Sequence, residues 1–325
     1  MLVWFMHGAS VRRSGYADPL RDRLIADFSD RGLTLPEFYS SYWGEELGST
    51  NEIWDYVQQD LEAFKWDYPQ IDIDDVFHYR QRREQLITGF FQDIFKYLSS
   101  QQGREIRRTV AMQFLNFLTD NPYDEDLHLV AHSLSSVILW DLLFSDYGTS
   151  DPAYYFRSVI NGLVDSPNKR KVKLRSITTL GCPLLIFKQM MNVNDQRLKT
   201  FATTYSGTAL RWINVIHASD IFAYPLRSSL NLEDADLFFR DRYLGEHNFL
   251  KKSIGDVAMA LGLIADHTSY WRSLRVSKLV MANLIGDYDE LSGNSPILEF
   301  GEFDWLSCNL QEVYDCVIWR LFGRD

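Results

Sequence analysis

The sequence predicts an α/β protein, with a mostly parallel central sheet and helices on both faces. Two observations carry this. Short apolar runs each end at a small or turn-forming residue, and helical stretches separate them. Strands alternating with helices build a parallel sheet, whose strand C-terminal ends share one edge, and ligands bind there. With 325 residues, 46% of them hydrophobic, the chain can bury a large core. We read residues 1–325 as a single domain.

The first strand is Leu2 to Met6, an apolar run closed by His7-Gly8. Tyr16 to Arg31 places Leu20, Leu24, Ile25 and Phe28 at helical spacing, with Asp18-Pro19 opening the helix and Gly32 closing it. Glu37 to Trp43 is the second strand, aromatic-rich and stopped at Gly44. Leu127 to Ala131 is the third, with a helix following from about Ser135. Lys173 to Leu180 forms the fourth, ending at Gly181-Cys182-Pro183, and Arg211 to His217 the fifth, ending at Ala218-Ser219-Asp220. The loops that begin at His7, His132, Gly181 and Ala218 should therefore converge.

Two segments are too long for simple crossovers. Residues 45–102 are rich in aromatics and should form several helices, broken at Asp67-Tyr68-Pro69. Three readings stay open for this segment. It is an extra helical layer burying its rings, a cap that makes an apolar pocket over the Ser133 edge, or a surface for peripheral membrane contact or a homodimer. Phe91 and Phe95, at helical spacing, suit the last of these. Arg104 to Leu118 is the crossover helix proper. Residues 146–171 make a second, smaller insertion, whose Lys169-Arg170-Lys171 reads as a solvated loop. The tail from Ile297 to Phe322 carries Trp305, Trp319 and Phe322, which should pack on the sheet or on another subunit.

A net charge of -11 argues against a nucleic-acid binder, which needs a concentrated basic surface. The three cysteines, Cys182, Cys308 and Cys316, show no C-x-x-C spacing, as expected of a reducing compartment. The apolar start is too short for a signal peptide, and no apolar run approaches the roughly 18 residues of a membrane span. A cytoplasmic protein with no transmembrane segment is expected. His78, His128 and His247 lack metal-ligand spacing, and no glycine-rich phosphate loop occurs, so neither metal nor dissociable cofactor is expected.

The chemistry concentrates in Leu127 to Trp140, LHLVAHSLSSVILW, where Ser133 sits between a strand and a helix. Such a turn lifts a hydroxyl away from its own backbone, and the helix start offers free N–H groups to a developing oxyanion. Serine is also a common helix cap, which is the structural alternative for Ser133. Asp220 follows the fifth strand and His267 lies later, in the order Ser, Asp, His. Asp266, Asp234 and Asp236 are other carboxylates that could reach the same imidazole. His7 and His132 should shape loops or line the pocket, and His217 should pack against its neighbours. Cys182 is either a pocket neighbour or a small buried thiol.

These residues resemble the α/β-hydrolase superfamily in its lipase- and esterase-like branch. The resemblance covers Leu2 to about Leu284 without the two insertions. It rests on Trp4-Phe5-Met6-His7-Gly8, the Ser133 turn, Thr179-Leu180-Gly181-Cys182-Pro183-Leu184, the strand from Trp212 to Asp220, and His267. It implies a three-layer sandwich in which Ser133 is the nucleophile, His267 the base and then the acid, and Asp220 the orienting carboxylate. The Leu134 N–H would form half the oxyanion hole, and Ala9 or Ser10 the other half. His7, Gly8, His132, Ser135 and Cys182 would surround the pocket. The implied activity is hydrolysis of a carboxylic ester, a lipid or other apolar acyl ester, through an acyl-serine; thioester, acyl-transfer and amide chemistry would use the same residues.

The chain departs from the family pattern in two respects. The usual leading antiparallel hairpin is absent, and the glycines of G-x-S-x-G are replaced by Ala131 and Ser135. A catalytically weak or inactive scaffold with a binding or regulatory role is therefore the rival reading. The Ser135 hydroxyl is expected to cap the helix or line the site, and Ser135→Gly to leave activity intact or raise it.

Overall fold

The computed structural model describes residues 1–47, 52–78, 80–165, 169–191, 195–204, 210–218, 220–231, 237–246, 267–293 and 297–299. Tyr79, Ser219, Asp234, Asp236, His247, Asp266, Trp305, Cys308, Cys316, Trp319 and Phe322 lie outside them. Among the described residues seven parallel strands form one sheet: β1 (Leu2–Met6), β2 (Glu37–Ser41), β3 (Asp126–His132), β4 (Lys173–Leu180), β5 (Leu210–His217), β6 (Leu237–Glu246) and β7 (Ile297–Glu299). Their order is β2-β1-β3-β4-β5-β6-β7. After β2 the chain crosses back over β1, so the winding direction reverses between β1 and β3. A crevice opens at such a reversal, outside the strand C-termini.

The helices are α1 (Asp18–Asp30), α2 (Glu52–Asp67), α3 (Ile73–Val76), α4 (Arg80–Gln85), α5 (Gln92–Leu98), α6 (Ser100–Asp120), α7 (Leu134–Leu143), α8 (Pro152–Ser158), α9 (Leu184–Met191), α10 (Gln196–Thr204), α11 (Leu274–Ile285) and α12 (Tyr288–Ser292). A π-helical turn, Leu86–Phe91, joins α4 to α5. No helix among the described residues is long and apolar enough to cross a membrane.

Alternation along the strands explains the layers. In β1, Leu2, Trp4 and Met6 face a core shared with Ile106, Val110 and Phe114 of α6 and Val137 and Ile138 of α7. Val3 and Phe5 face the opposite core, with Leu20, Leu24 and Phe28 of α1 and Val276, Leu279 and Val280 of α11. A strand covered on both faces must be apolar throughout, and every residue of LVWFM is buried. Arg211 of β5 reaches under the sheet and donates to the Asn283 carbonyl at 2.8 Å, at the end of α11.

β2 stops at Ser41, short of the expected Trp43, and two further features depart from the sequence reading. β6 did not stand out because its centre reads Arg240-Asp241-Arg242. Backbone groups pair two of these charges: Arg242 donates to the Glu290 and Leu291 carbonyls of α12 at 2.8 Å, and Asp241 accepts the Leu226 N–H at 3.2 Å. The basic cluster is no freely solvated loop. Arg170 donates to the Leu118 and Asn121 carbonyls at the end of α6, where orphan helix acceptors favour a cation.

Candidate active site

β3 delivers Ser133. The backbone there turns at φ 55° and ψ -127°, a conformation that strains any side chain with a Cβ, and α7 begins one residue later. The Ser133 N–H donates to the Leu180 carbonyl at 2.9 Å, which pins the turn to the end of β4. Space for the turn and for the residues that meet it comes from glycines just past the flanking strands. A Cβ at Gly8, just past β1, would stand 2.6 Å from the Ser133 Cβ and 2.9 Å from His132 Nδ1. Gly181, just past β4, has φ 59°, and a Cβ there would stand 2.8 Å from Asp220 Oδ2 and 2.9 Å from the Tyr270 ring. Gly8→Ala is expected to destabilise the protein by about 1–3 kcal/mol through overpacking. Thermal denaturation of the variant beside the wild type reads that loss directly.

The expected partners meet Ser133. Its hydroxyl lies 2.6 Å from His267 Nε2, and His267 Nδ1 lies 2.9 and 3.0 Å from the two Asp220 oxygens. An ionised carboxylate only accepts, so Nδ1 carries the imidazole proton and Nε2 is left to accept from Ser133. Asp220 also accepts from the Tyr270 hydroxyl at 2.8 Å and the Phe222 N–H at 2.9 Å. Burial pushes the Asp220 carboxyl up. The hydrogen bond and charge of His267, with those two donors, outweigh it and hold the group below the usual carboxylate range. All three side chains are buried, Ser133 to 1% exposure. A hydroxyl donating to an imidazole that is oriented by a carboxylate can give up its proton as it attacks an electrophile.

The neighbouring histidines are held neutral. Burial lowers His132 to about 3, with His267 adding to the shift, and its Nε2–H donates to the His267 carbonyl at 2.6 Å. Burial lowers His7 to about 4. Its Nε2 accepts the Trp43 N–H at 3.1 Å, so Nδ1 carries the proton and donates to the Gly8 carbonyl at 2.7 Å. The two histidines therefore tie the loops on either side of Ser133 through these hydrogen bonds.

Of the two candidate N–H groups beyond β1, Ser10 is already committed. Its N–H donates to Asp93 Oδ2 at 2.7 Å, and Arg12 clamps the same carboxylate at 2.8 and 2.9 Å. The Ala9 and Leu134 N–H groups meet no acceptor among the described residues. Cys182 does not join the site. It is wholly buried in the core below α7, and burial raises its thiol to about 11. The Ser135 hydroxyl does not cap α7 either; it accepts from the Trp43 indole N–H at 3.1 Å and donates to the His7 carbonyl.

Several neighbours of the site were not singled out from sequence. The Phe90 and Phe222 rings stand 5.8 and 5.0 Å from the His267 ring and 4.5 Å from each other. Phe90 belongs to the π-helical turn of the aromatic segment, and Asp93 follows it on α5. Gly89 packs against Ser10, so this segment touches both the loop after β1 and the face of His267. Tyr270 was the most accessible omission, since it stands three residues after His267. No protein-family model matches the sequence, and no curated protein matches it.

Proposed function

We propose that the protein is a serine hydrolase of the α/β-hydrolase type that cleaves a carboxylic ester with apolar character. The observation that carries this reading is the buried relay from Asp220 through His267 to Ser133, set at the strand edge where the sheet reverses its winding. Ser133 Oγ attacks the ester carbonyl carbon while His267 Nε2 takes its proton. The carbonyl oxygen becomes an oxyanion held by the Leu134 and Ala9 N–H groups. The intermediate collapses, the carbon–oxygen bond to the alcohol breaks, and His267 returns the proton to the leaving oxygen. Water then attacks the acyl-serine with His267 again as base, releasing the acid and restoring Ser133.

His267 must reach the leaving oxygen, so groups flanking its ring contact the alcohol portion of the substrate. Apart from His132, which is tied to the His267 carbonyl, those groups are Phe90 and Phe222, which favours an apolar ester. Within this reading residues 45–102 form a cap, because Phe90 stands on His267. The 1% exposure of Ser133 favours a second reading as well. If the Phe90 turn never moves, no substrate enters, and the chain is a hydrolase-like scaffold that binds without turnover.

An alkyl phosphonate reactive toward serine separates the two. Intact-protein mass spectrometry should record one adduct per chain, mapping to the peptide with Ser133 and missing from Ser133→Ala. Esters graded in the length of the alcohol portion, assayed in parallel, should be cleaved faster as that chain lengthens. A folded wild type that takes no adduct would establish the scaffold reading instead.

A further inference from the structure

We propose that Ser135 is a positioning residue for the Ser133 site, one that locks the loop after β1 to the helix behind the nucleophile. The inference rests on the reading of Ser133 as nucleophile and assigns a role to the residue that stands where the motif has its second glycine. Ser135 is wholly buried on the first turn of α7, and so are its two partners, His7 and Trp43. The directions of its hydrogen bonds are fixed by chemistry. The His7 carbonyl can only accept, and the Trp43 indole N–H can only donate, so the hydroxyl gives its proton to the first and takes one from the second.

The consequence reaches the proposed oxyanion site through the peptide plane. With the His7 carbonyl held by Ser135, the next peptide unit is held by His7 itself, whose Nδ1–H donates to the Gly8 carbonyl at 2.7 Å. A trans peptide is planar, with C=O and N–H pointing in opposite directions, so fixing the Gly8 oxygen also fixes the direction of the Ala9 N–H. Trp43 braces the same unit from outside, stacking on the His7 ring at 4.4 Å and donating its backbone N–H to Nε2 at 3.1 Å. The other oxyanion donor, Leu134, is the chain neighbour of Ser135. One hydroxyl thereby sets the spacing between the Leu134 and Ala9 N–H groups. A glycine would leave more room at this position and would release the loop.

The test uses Ser135→Gly, Ser135→Ala and Trp43→Phe in the full chain, each checked for an unchanged circular dichroism spectrum. Oxyanion donors act on the transition state more than on bound substrate, so kcat for a short ester should fall about 10- to 100-fold with KM nearly unchanged. Inhibition by a trifluoromethyl ketone, whose serine adduct carries an oxyanion, should weaken by a similar factor. The double variant Ser135→Ala/Trp43→Phe should lose less than the product of the single losses, because both belong to one bonded unit. A purely structural role would lower the melting temperature without this split between kcat and KM. Ser135→Gly turning over as fast as a phosphonate-reactive wild type would overturn the proposal alone. A wild type inert to the phosphonate would overturn it together with the Ser133 reading. Should neither Ser135 variant fold, Trp43→Phe decides, and an unchanged kcat there overturns it.

Discussion

Ser133→Ala is expected to lower ester turnover by about 10⁴- to 10⁶-fold, the range seen when a serine nucleophile is removed from a working relay. Steady-state assays at saturating ester, corrected for the uncatalysed rate, measure it. The loss should appear in kcat, since the apolar walls at Phe90 and Phe222 remain to bind substrate. Stability should respond differently, and a second variant makes this visible. Ser133 holds φ 55° and ψ -127° with a Cβ in place, and alanine inherits the same strain. Ser133→Gly relieves it, against the greater freedom glycine gives the unfolded chain. Ser133→Gly should therefore melt above Ser133→Ala by about 1 kcal/mol while both are inactive. Equal melting of the two would mean that the turn is not strained. Retained turnover in either would remove Ser133 from the chemistry.

The sequence made the sheet visible where strands are buried on both faces. Leu2–Met6 and Lys173–Leu180 coincide with their expected limits, because each closes at a glycine turn, Gly8 and Gly181. Leu210–His217 begins one residue earlier than expected. β6 stayed hidden because its charged centre depends on partners more than ten residues away, which no local pattern records. The site divides along the same line. Ser133, Asp220 and His267 were legible because each sits at or near a chain feature with its own signature. Asp93 and Trp43 were not, because their value comes from reaching the loop after β1 across 83 and 36 residues of sequence. Ser135 is the instructive case. Its replacement of a glycine suggested tolerated crowding, whereas its hydroxyl is bonded on both sides. The glycine that makes room for the turn is Gly8, displaced from the motif onto the neighbouring end of β1, while Gly181 makes room for Asp220, Tyr270 and His267.

Asp220→Asn should cost about 10⁴-fold in kcat at nearly constant volume, through the tautomer of His267. Asp220 presents only acceptors to Nδ1, at 2.9 and 3.0 Å. Asparagine has one oxygen and one NH2, and two donors from elsewhere, the Phe222 N–H and the Tyr270 hydroxyl, compete for that oxygen. The two donors reach different oxygens of Asp220, so whichever holds the amide oxygen leaves the NH2 in the other position, within reach of Nδ1, which must then accept. The imidazole proton moves to Nε2, where it opposes the Ser133 hydroxyl instead of receiving its proton. The same substitution changes the acid dependence of stability. Because the folded-state carboxyl lies below its ordinary value, its contribution is complete above an unfolded pKa of about 3.9 and is lost as pH falls through the folded pKa. Melting curves recorded from pH 6 downward should therefore fall more steeply for wild type than for Asp220→Asn below about pH 4. Parallel curves would mean that Asp220 is not the carboxylate His267 holds ionised. Full activity in Asp220→Asn would mean that the tautomer is set elsewhere.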